Sequence, residues 1–277
     1  SRLALPLLSR SCCMSSSTST DNRAYDRSRS ENYVARKEKA RFGSRCGACW
    51  HPFGVCICAR VVPLKFALPV QILVYQHHTD YLNAGDDAKL LLIAARESRY
   101  PAKLFVHGRQ ADEADLAAEL SIDPVNTFLL FPSERAVSAE EFFEHRPIVV
   151  ASPHSTISEP VLRVLVIDAT WRHAKAMQRH LTRTPKLGGT SLPHVILSPK
   201  TLSVYARKQS QPDRICTVEA VALLLEEHIG EDPRVCETLI SYVQMNNRAL
   251  KRQETSAPSL WRGPGGHPAW YFGRRLW

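Results

Sequence analysis

The feature that most constrains this fold is an alternation of short apolar runs with helical patterns from about residue 61 onward. The strand candidates are short, mostly continuous in apolar residues, and lie at 70–75, 103–107, 127–131, 162–167 and 194–198. Such runs are typical of strands that are buried on both faces of a parallel sheet. Helical patterns lie between them, over about 86–98, 110–120, 138–145, 170–183, 217–229 and 233–252. The alternation predicts an α/β domain that binds ligands at the carboxyl ends of its strands.

Charge divides the chain into a near-neutral body and two basic ends. The formal net charge of +9 comes from 36 Lys and Arg against 27 Asp and Glu, with +7 in residues 1–60, −3 in 61–247 and +5 in 248–277. Basic ends favour a polyanion partner such as nucleic acid, although solvated tails have the same composition. No run of about 18 apolar residues exists, so we expect no membrane-spanning helix and no membrane partner.

The two ends differ from the body in composition. Residues 1–45 are Ser-rich and basic, and we expect a disordered tail, with a short basic helix over 31–45 as an option. An organelle transit peptide has this composition too, so a mitochondrion or plastid is an alternative to the cytoplasm or nucleus. Residues 253–277 interleave Arg with Trp, Tyr and Phe. Such a tail either stacks on bases or packs its Trp residues on the body.

Four cysteines form a dense cluster ahead of the domain. Cys46, Cys49, Cys56 and Cys58 have the spacing C-x2-C-x6-C-x-C. Four thiolates at this density suit structural, tetrahedral zinc or, less often, an iron–sulfur cluster. Disulfides would need an oxidising compartment. We therefore predict a zinc module over 46–60, followed by a catalytic domain over 61–252.

The segment around Asp168 is the most informative. An apolar strand ends at Asp168, and a helix follows from about Thr170. At about 100° per residue, one side of this helix is apolar and the other is basic. The apolar side contains Trp171, Ala174, Met177 and Leu181, and the basic side contains Arg172, Lys175, Arg179 and Arg183. A basic helix face beside an acid at the predicted ligand-binding edge favours a surface that binds the phosphate backbone of a nucleic acid.

Ordered motifs resemble the DTW-domain family, the tRNA-uridine aminocarboxypropyltransferases. Residues 168–171 (DATW) match its D-x-T-W signature, with Ala169 where the family usually has Gly. The cysteine run resembles the family's C-x2-C-x2-P-x3-C-x-C. The remaining segments follow in family order: QH at 76–77, LFPS at 130–133, YAR at 205–207 and TVEA at 217–220. The resemblance covers about 46–250.

The resemblance implies a fold and a reaction. The fold would be a parallel sheet flanked by helices and knotted like the SPOUT methyltransferases. The reaction would move the 3-amino-3-carboxypropyl group of S-adenosylmethionine to N3 of a tRNA uridine, releasing 5′-methylthioadenosine. The chain lacks the GxGxxG fingerprint and the Walker P-loop, which agrees with such a site. The implied partners are tRNA and S-adenosylmethionine, and no obligate protein partner is inferred.

The resemblance also implies roles for individual residues. The implied catalytic residues are Asp168 as the candidate base, Thr170 and Trp171. The implied S-adenosylmethionine site comprises Phe131, Pro132, Ser133, Asp168, Tyr205, Arg207, Cys216, Thr217, Glu219 and Ala220. Arg207 is the candidate for the substrate carboxylate, because a guanidinium binds carboxylates in a bidentate way. Glu219 could instead be an ordinary acid at a helix start.

The tRNA is expected along the basic side of the helix, with the zinc module as a second contact. The residues assigned to it are His77, Arg172, Lys175, Arg179 and Arg183, although His77 could be structural. Two alternatives remain: an RNA methyltransferase of SPOUT type, and a non-catalytic zinc-module RNA-binding protein. A hydrolase is disfavoured, since neither G-x-S-x-G nor H-E-x-x-H occurs.

Overall fold

A parallel sheet forms the centre of the protein. This is a computed structural model, and it describes residues 18–144, 161–189, 191–206 and 214–256. Within them the strands are β1 Val70–His77, β2 Lys103–His107, β3 Thr127–Leu130, β4 Val137–Ser138, β5 Leu162–Asp168 and β6 His194–Ile196. Their order is β2-β1-β5-β3-β6-β4, and every neighbouring pair is parallel. The predicted parallel α/β sheet is confirmed, whereas β4, only two residues long, was not predicted.

Helices flank the sheet, and one corresponds to each predicted helical pattern. They are α1 Thr18–Arg41, α2 Lys89–Ala94, α3 Gln110–Ile122, α4 Ala139–Glu144, α5 Trp171–Arg183, α6 Thr217–Leu224 and α7 Pro233–Ser256, with α3 and α7 extending past the predicted ends. A π-helical turn, Leu225–Ile229, extends α6 and ends at Gly230, whose φ of 80° is left-handed. Glycine adopts this conformation without a Cβ penalty. Helix α2 is shorter than predicted, because residues 86–88 belong to the loop before it and residues 95–98 to the turn after it.

Strand side chains alternate between two apolar cores, one on each face of the sheet. On β5, Val164 and Val166 face a core shared with α2, α6 and α7, while Leu165 and Ile167 face a core shared with α3 and α5. Both faces are therefore covered, which explains why the strands are continuously apolar. Each fully buried aliphatic side chain contributes about 1.5–3 kcal/mol relative to an exposed one. This packing holds the carboxyl ends of the strands at one edge.

Helix α1 corrects the expectation for the N-terminal segment. It is longer than the short helix expected over 31–45, and its second half packs on the body. Val34 is buried, and Lys37 Nζ donates hydrogen bonds to the carbonyls of Thr79 and Tyr81 at 2.7 and 2.6 Å. Part of the predicted disordered tail 1–45 is thus a docked helix.

Some expectations fall on residues outside the described ranges. These are residues 1–17, the aromatic tail from 257 onward, and Arg207. Within the described ranges, none of the helices combines the length and apolarity needed to cross a bilayer.

Candidate functional site

Asp168 occupies the carboxyl end of β5, a central strand of the sheet. It pairs in register with Gln76 of β1 and is 5% exposed. Gln76 Nε2 donates a hydrogen bond to Asp168 Oδ2 at 2.9 Å, and Thr217 Oγ1 donates one to Oδ1 at 2.8 Å. Each carboxylate oxygen is therefore held by a side chain from a different element, which fixes the orientation of the group.

Asp86, Asp87 and Asp168 form a buried acidic trio. All three side chains are buried, and one oxygen from each lies within 4.8 Å of the others. Burial raises the pKa of Asp86 well above its usual range, and the neighbouring Asp168 and Asp87 charges raise it further. Asp86 therefore binds a proton more tightly than a free carboxyl group does, and its side chain forms a hydrogen bond with Asp168.

Lys89 supplies a positive charge beside the acidic trio. It is fully buried at the start of α2, and its Nζ donates to the carbonyls of Ala84 and Asp86, the latter at 2.7 Å. Burial lowers the pKa of Lys89 to about 8, although Asp86 and other nearby acids oppose the shift. One ammonium thus offsets part of the negative charge at this edge, which remains acidic.

The N-terminus of α6 closes the site on the other side of Asp168. Cys216 is the N-cap residue and is buried, and Thr217 binds Asp168. The backbone N–H of Val218 donates to Asp87 Oδ2 at 2.9 Å. The sheet edge, the 86–87 loop and the start of α6 are therefore tied together by hydrogen bonds to the acidic trio.

Glu219 holds a loop in place. Its carboxylate accepts hydrogen bonds from Ser203 Oγ, from Val204 N and from Cys216 N, at 2.5, 2.6 and 2.7 Å. The contact with Cys216 forms a capping box at the start of α6. This geometry favours the structural role that the sequence left open for Glu219.

Tyr205 reaches the same region from the neighbouring loop. Its hydroxyl donates to the carbonyl of Gly85, immediately before the acidic trio. Ala220 is half-buried on the first turn of α6 and packs against the core. The structure therefore brings Tyr205 and the α6 start together near Asp168, whereas Arg207 lies outside the described residues.

The residues after β3 lie on the other side of the edge. Phe131 is buried and packs against Trp171, with ring centroids 6.0 Å apart. Ser133 pairs with His194 of β6, with its Oγ 2.6 Å from Nδ1. Pro132 is exposed. Phe131 is thus linked to the DATW segment, while the hydrogen bond of Ser133 is to β6 rather than to the acidic trio.

Helix α5 presents the predicted faces. Ala174, Met177 and Leu181 are buried, and Trp171 is half-buried, with the Arg214 guanidinium 4.0 Å from its ring centroid. Thr170, the N-cap residue, is exposed. The basic stripe is exposed along the opposite face and comprises Arg172, Lys175, Arg179 and Arg183. The predicted amphipathic helix is confirmed.

His77 lies in a stack of imidazole rings. Its ring centroid is 3.9 Å from that of His173 and 4.2 Å from that of His78. Burial lowers the pKa of His77 to about 2, and the neighbouring His78, His173 and His107 lower it further. His77 is therefore a neutral, packed histidine, and this geometry favours the structural role.

The four cysteines come together as predicted. Cys46 Sγ lies 3.5 Å from Cys58 Sγ, and Cys49 Sγ lies 3.6 Å from Cys56 Sγ. All four sulfurs lie within 4.8 Å of one another, and the thiols are free. Tetrahedral zinc with Zn–S bonds of about 2.3 Å places its sulfurs about 3.8 Å apart. The donor set and spacing therefore fit structural zinc.

Sequence reasoning missed several residues of this edge. Asp86, Asp87 and Lys89 were not proposed as site residues, although the DDAK sequence at 86–89 was visible. An acid pair in the loop after the first predicted strand was the signal available. Its partner, Asp168, is far away in sequence, so only the folded chain brings the three carboxylates together.

Comparisons with known proteins agree with the ordered motifs. The family model for the DTW domain matches residues 43–250. A tRNA-uridine aminocarboxypropyltransferase A from Arabidopsis thaliana is 24% identical over 133 residues, which are 48% of this chain and 49% of the relative. The chain thus aligns with about half the length of this curated relative. No solved structure matches.

Proposed function

The chain belongs to the DTW-domain family, and on that premise we propose that it modifies uridine in tRNA. The proposed reaction transfers the 3-amino-3-carboxypropyl group of S-adenosylmethionine to N3, giving 3-(3-amino-3-carboxypropyl)uridine and 5′-methylthioadenosine. The relative named tRNA-uridine aminocarboxypropyltransferase A supports this assignment. So does the order of the matching motifs along the chain.

The observation that carries the proposal is the buried acidic trio at the carboxyl edge of the sheet. S-adenosylmethionine carries two positive groups, a sulfonium and an ammonium. Three buried carboxyl groups with one buried ammonium provide an acidic surface that suits such a substrate. The trio also lies where parallel α/β sheets bind their ligands.

Asp168 is the proposed acceptor of the uridine N3 proton. Its two hydrogen bonds hold the carboxylate in one orientation, so that an oxygen lone pair can face N3–H. As the proton moves to Asp168, N3 forms a bond to the γ-carbon of the methionine moiety. The bond from that carbon to sulfur breaks, and its electron pair stays on the sulfur of neutral methylthioadenosine.

The methyl group and the γ-carbon are both bonded to the same sulfonium, so positioning decides which of them reacts. Trp171 and Phe131 provide an aromatic wall beside Asp168, and Thr170 is exposed at the start of α5. The proposed substrate contacts are completed by Pro132, Ser133, Tyr205, Arg207, Cys216, Thr217, Glu219 and Ala220. Among these, Cys216 and Thr217 have the strongest support, because they contact the acidic trio.

The basic stripe is the proposed tRNA contact. Its four side chains are exposed on α5, which begins three residues after Asp168. Cations in such a row attract a phosphate backbone and make binding depend on salt. The cysteine module is a proposed second contact, with zinc as its structural metal.

The family resemblance also leads us to propose a SPOUT-like knot. An experimental structure whose backbone forms a knot would support it.

Mass spectrometry of tRNA nucleosides tests the proposed reaction. Unmodified tRNA is incubated with the protein and S-adenosylmethionine that is isotopically labelled in the aminocarboxypropyl carbons. The expected result is labelled aminocarboxypropyluridine together with unlabelled methylthioadenosine. A methylated uridine would instead indicate an RNA methyltransferase. No product, and no calorimetric binding at millimolar S-adenosylmethionine, would indicate a non-catalytic RNA-binding protein.

A further inference from the structure

A histidine cluster lies beside the proposed active site and has no role in the proposed reaction. It comprises His77, His78, His107, His173 and His180, which come from the ends of β1 and β2 and from α5. The rings lie in a continuous series of contacts, with centroid separations between 3.9 and 6.4 Å. His77 pairs in register with His107, so the cluster occupies the same edge of the sheet as Asp168.

Two histidines of this cluster, His107 and His180, lie on either side of the Glu113 carboxylate. Glu113 Oε1 lies 3.2 Å from His107 Nδ1 and 3.3 Å from His180 Nε2. All three ligand atoms lie within 4.8 Å of one another. Tetrahedral zinc with bonds of about 2.0–2.1 Å places neighbouring nitrogen and oxygen ligands about 3.3–3.4 Å apart. The two short separations match the spacing of a metal coordination sphere.

Several imidazole nitrogens of the cluster lack hydrogen-bond partners. Among the described residues, His78 Nδ1, His173 Nδ1 and His180 Nε2 are buried atoms without a hydrogen bond. His180 Nε2 is close to Glu113 Oε1, yet the contact does not have hydrogen-bond geometry. Buried polar atoms are nearly always satisfied. A cation beside Glu113 would give His180 Nε2 a partner, whereas Glu113 Oε1 already accepts hydrogen bonds from the Tyr75 hydroxyl and from Gly108 N, each at 3.0 Å.

Ring orientation separates this triad from a neighbouring one. His77, Asp80 and His173 are also close enough to share an ion. However, the rings of His77 and His173 are nearly parallel, at 11°, so their nitrogen lone pairs do not converge. His77 Nδ1 is also 2.7 Å from Thr79 Oγ1. The rings of His107 and His180 lie at 63°, which allows both to point at one ion.

We infer that His107, Glu113 and His180 bind a divalent transition-metal ion, with zinc as the best match. Two imidazoles and a carboxylate favour zinc over magnesium or calcium, which prefer oxygen ligands. The Tyr75 hydroxyl lies 3.0 Å from Glu113 Oε1 and 2.6 Å from His107 Nδ1, and metal binding would replace its hydrogen bond to His107. The ion would tie α5, and with it the basic stripe, to β2 and α3. This site is distinct from the cysteine cluster and does not depend on the proposed reaction.

Metal content of the full-length chain tests the inference. The wild type, His180→Gln and Glu113→Gln are dialysed against micromolar zinc and then against metal-free buffer, and the zinc-to-protein ratio is measured by mass spectrometry. We expect the wild type to retain one more zinc per chain than either variant, whatever the cysteine cluster retains. His228→Gln is the matched control, because His228 lies outside the cluster, against Phe143; it should equal the wild type.

Cobalt spectra provide a second readout that does not depend on activity. Cobalt at the cysteine cluster gives thiolate charge-transfer bands, whereas cobalt at His107, Glu113 and His180 gives only d–d bands. Titrating the wild type with cobalt should therefore include a phase in which the d–d bands grow without charge-transfer bands. His180→Gln should lack that phase. Circular dichroism checks that each variant is folded. Equal metal content in the wild type and in folded His180→Gln would overturn the inference and leave the triad as a hydrogen-bonded ion-pair network.

Discussion

Replacing Asp168 with Asn separates the chemical role of this carboxylate from its structural role. Asn keeps the shape of Asp but cannot accept the N3 proton as a base. One amide nitrogen would replace one of the two acceptors that now face Gln76 Nε2 and Thr217 Oγ1. The Thr217 hydroxyl can adapt, because it can accept a hydrogen bond as well as donate one. With its oxygen towards Gln76 Nε2 and its nitrogen towards Thr217 Oγ1, Asn would keep both pairings.

From the structure we expect Asn and Ala at position 168 to lower the free energy of unfolding by different amounts. Asp168→Ala leaves the fully buried Gln76 donor unpaired, which costs about 1–3 kcal/mol. Thr217 is half-buried, so water can replace part of the hydrogen bonding that its hydroxyl loses with Asp168. Asp168→Asn preserves both pairings once the Thr217 hydroxyl turns, and it removes a charge beside Asp86 and Asp87, so we expect it to cost about 1 kcal/mol or less. Loss of a general base lowers turnover by about 10²–10⁴-fold.

Two measurements on the same samples test this reasoning. Urea unfolding gives the free energy of unfolding, and nucleoside mass spectrometry gives turnover. We expect Asp168→Asn to be nearly as stable as the wild type but severely inactive, and Asp168→Ala to be both inactive and less stable. Asp115→Asn, on the exposed face of α3, is the control and should retain both properties. Wild-type turnover in folded Asp168→Asn would refute the role of Asp168 as the base, and equal instability of the two variants would refute the hydrogen-bond argument.

Three further predictions concern tRNA binding, pH and zinc. Replacing the whole basic stripe with Ala should weaken tRNA binding and reduce the slope of log affinity against log salt by about 0.7–0.9 per lost phosphate contact; filter binding that shows an unchanged slope would contradict this. The raised pKa of buried Asp86 means that the folded chain keeps a proton that the unfolded chain releases above pH 3.8. Unfolding free energy should therefore fall as pH rises from there through the raised pKa, by at most about 1.4 kcal/mol per pH unit. Urea titrations of Asp86→Asn should lack this contribution, and identical pH slopes would count against it. Cys49→Ser should lose one zinc and melt at a lower temperature, whereas Cys236→Ala, a buried thiol outside the cluster, should keep its zinc; equal zinc content would exclude a cysteine site.

Local sequence patterns predicted much of the fold, because the spacing of apolar residues indicates which side chains are buried. The apolar run at 162–167 is continuous, and β5 is buried on both faces. The periodicity after Asp168 separates Met177 from the basic stripe, and the structure buries the first and exposes the second. The paired strands and helices therefore followed from sequence. Strand β4 did not, since two residues are too few to establish a period.

Sequence reasoning named candidate site residues only where they carry a motif. Asp168, Thr217 and the cysteine cluster lie in recognisable segments, and the structure brings the first two into contact. Asp86, Asp87 and Lys89 lie in a loop with no periodic pattern. Glu113 was missed for a different reason: it is an acid on a helix, where acids are usually solvated, and it becomes notable only beside His107 and His180.

The sequence alone determined which residue types stand at the strand ends, which helix is amphipathic, and which family the chain resembles. These properties depend on neighbours along the chain. The strand order, the acidic trio and the convergence of His107, Glu113 and His180 were decided only by the tertiary structure. Parallel strands joined by long crossovers bring residues from distant segments to one edge. Burial at that edge then changes their protonation and pairing, because desolvation and neighbouring charges act through space rather than along the sequence.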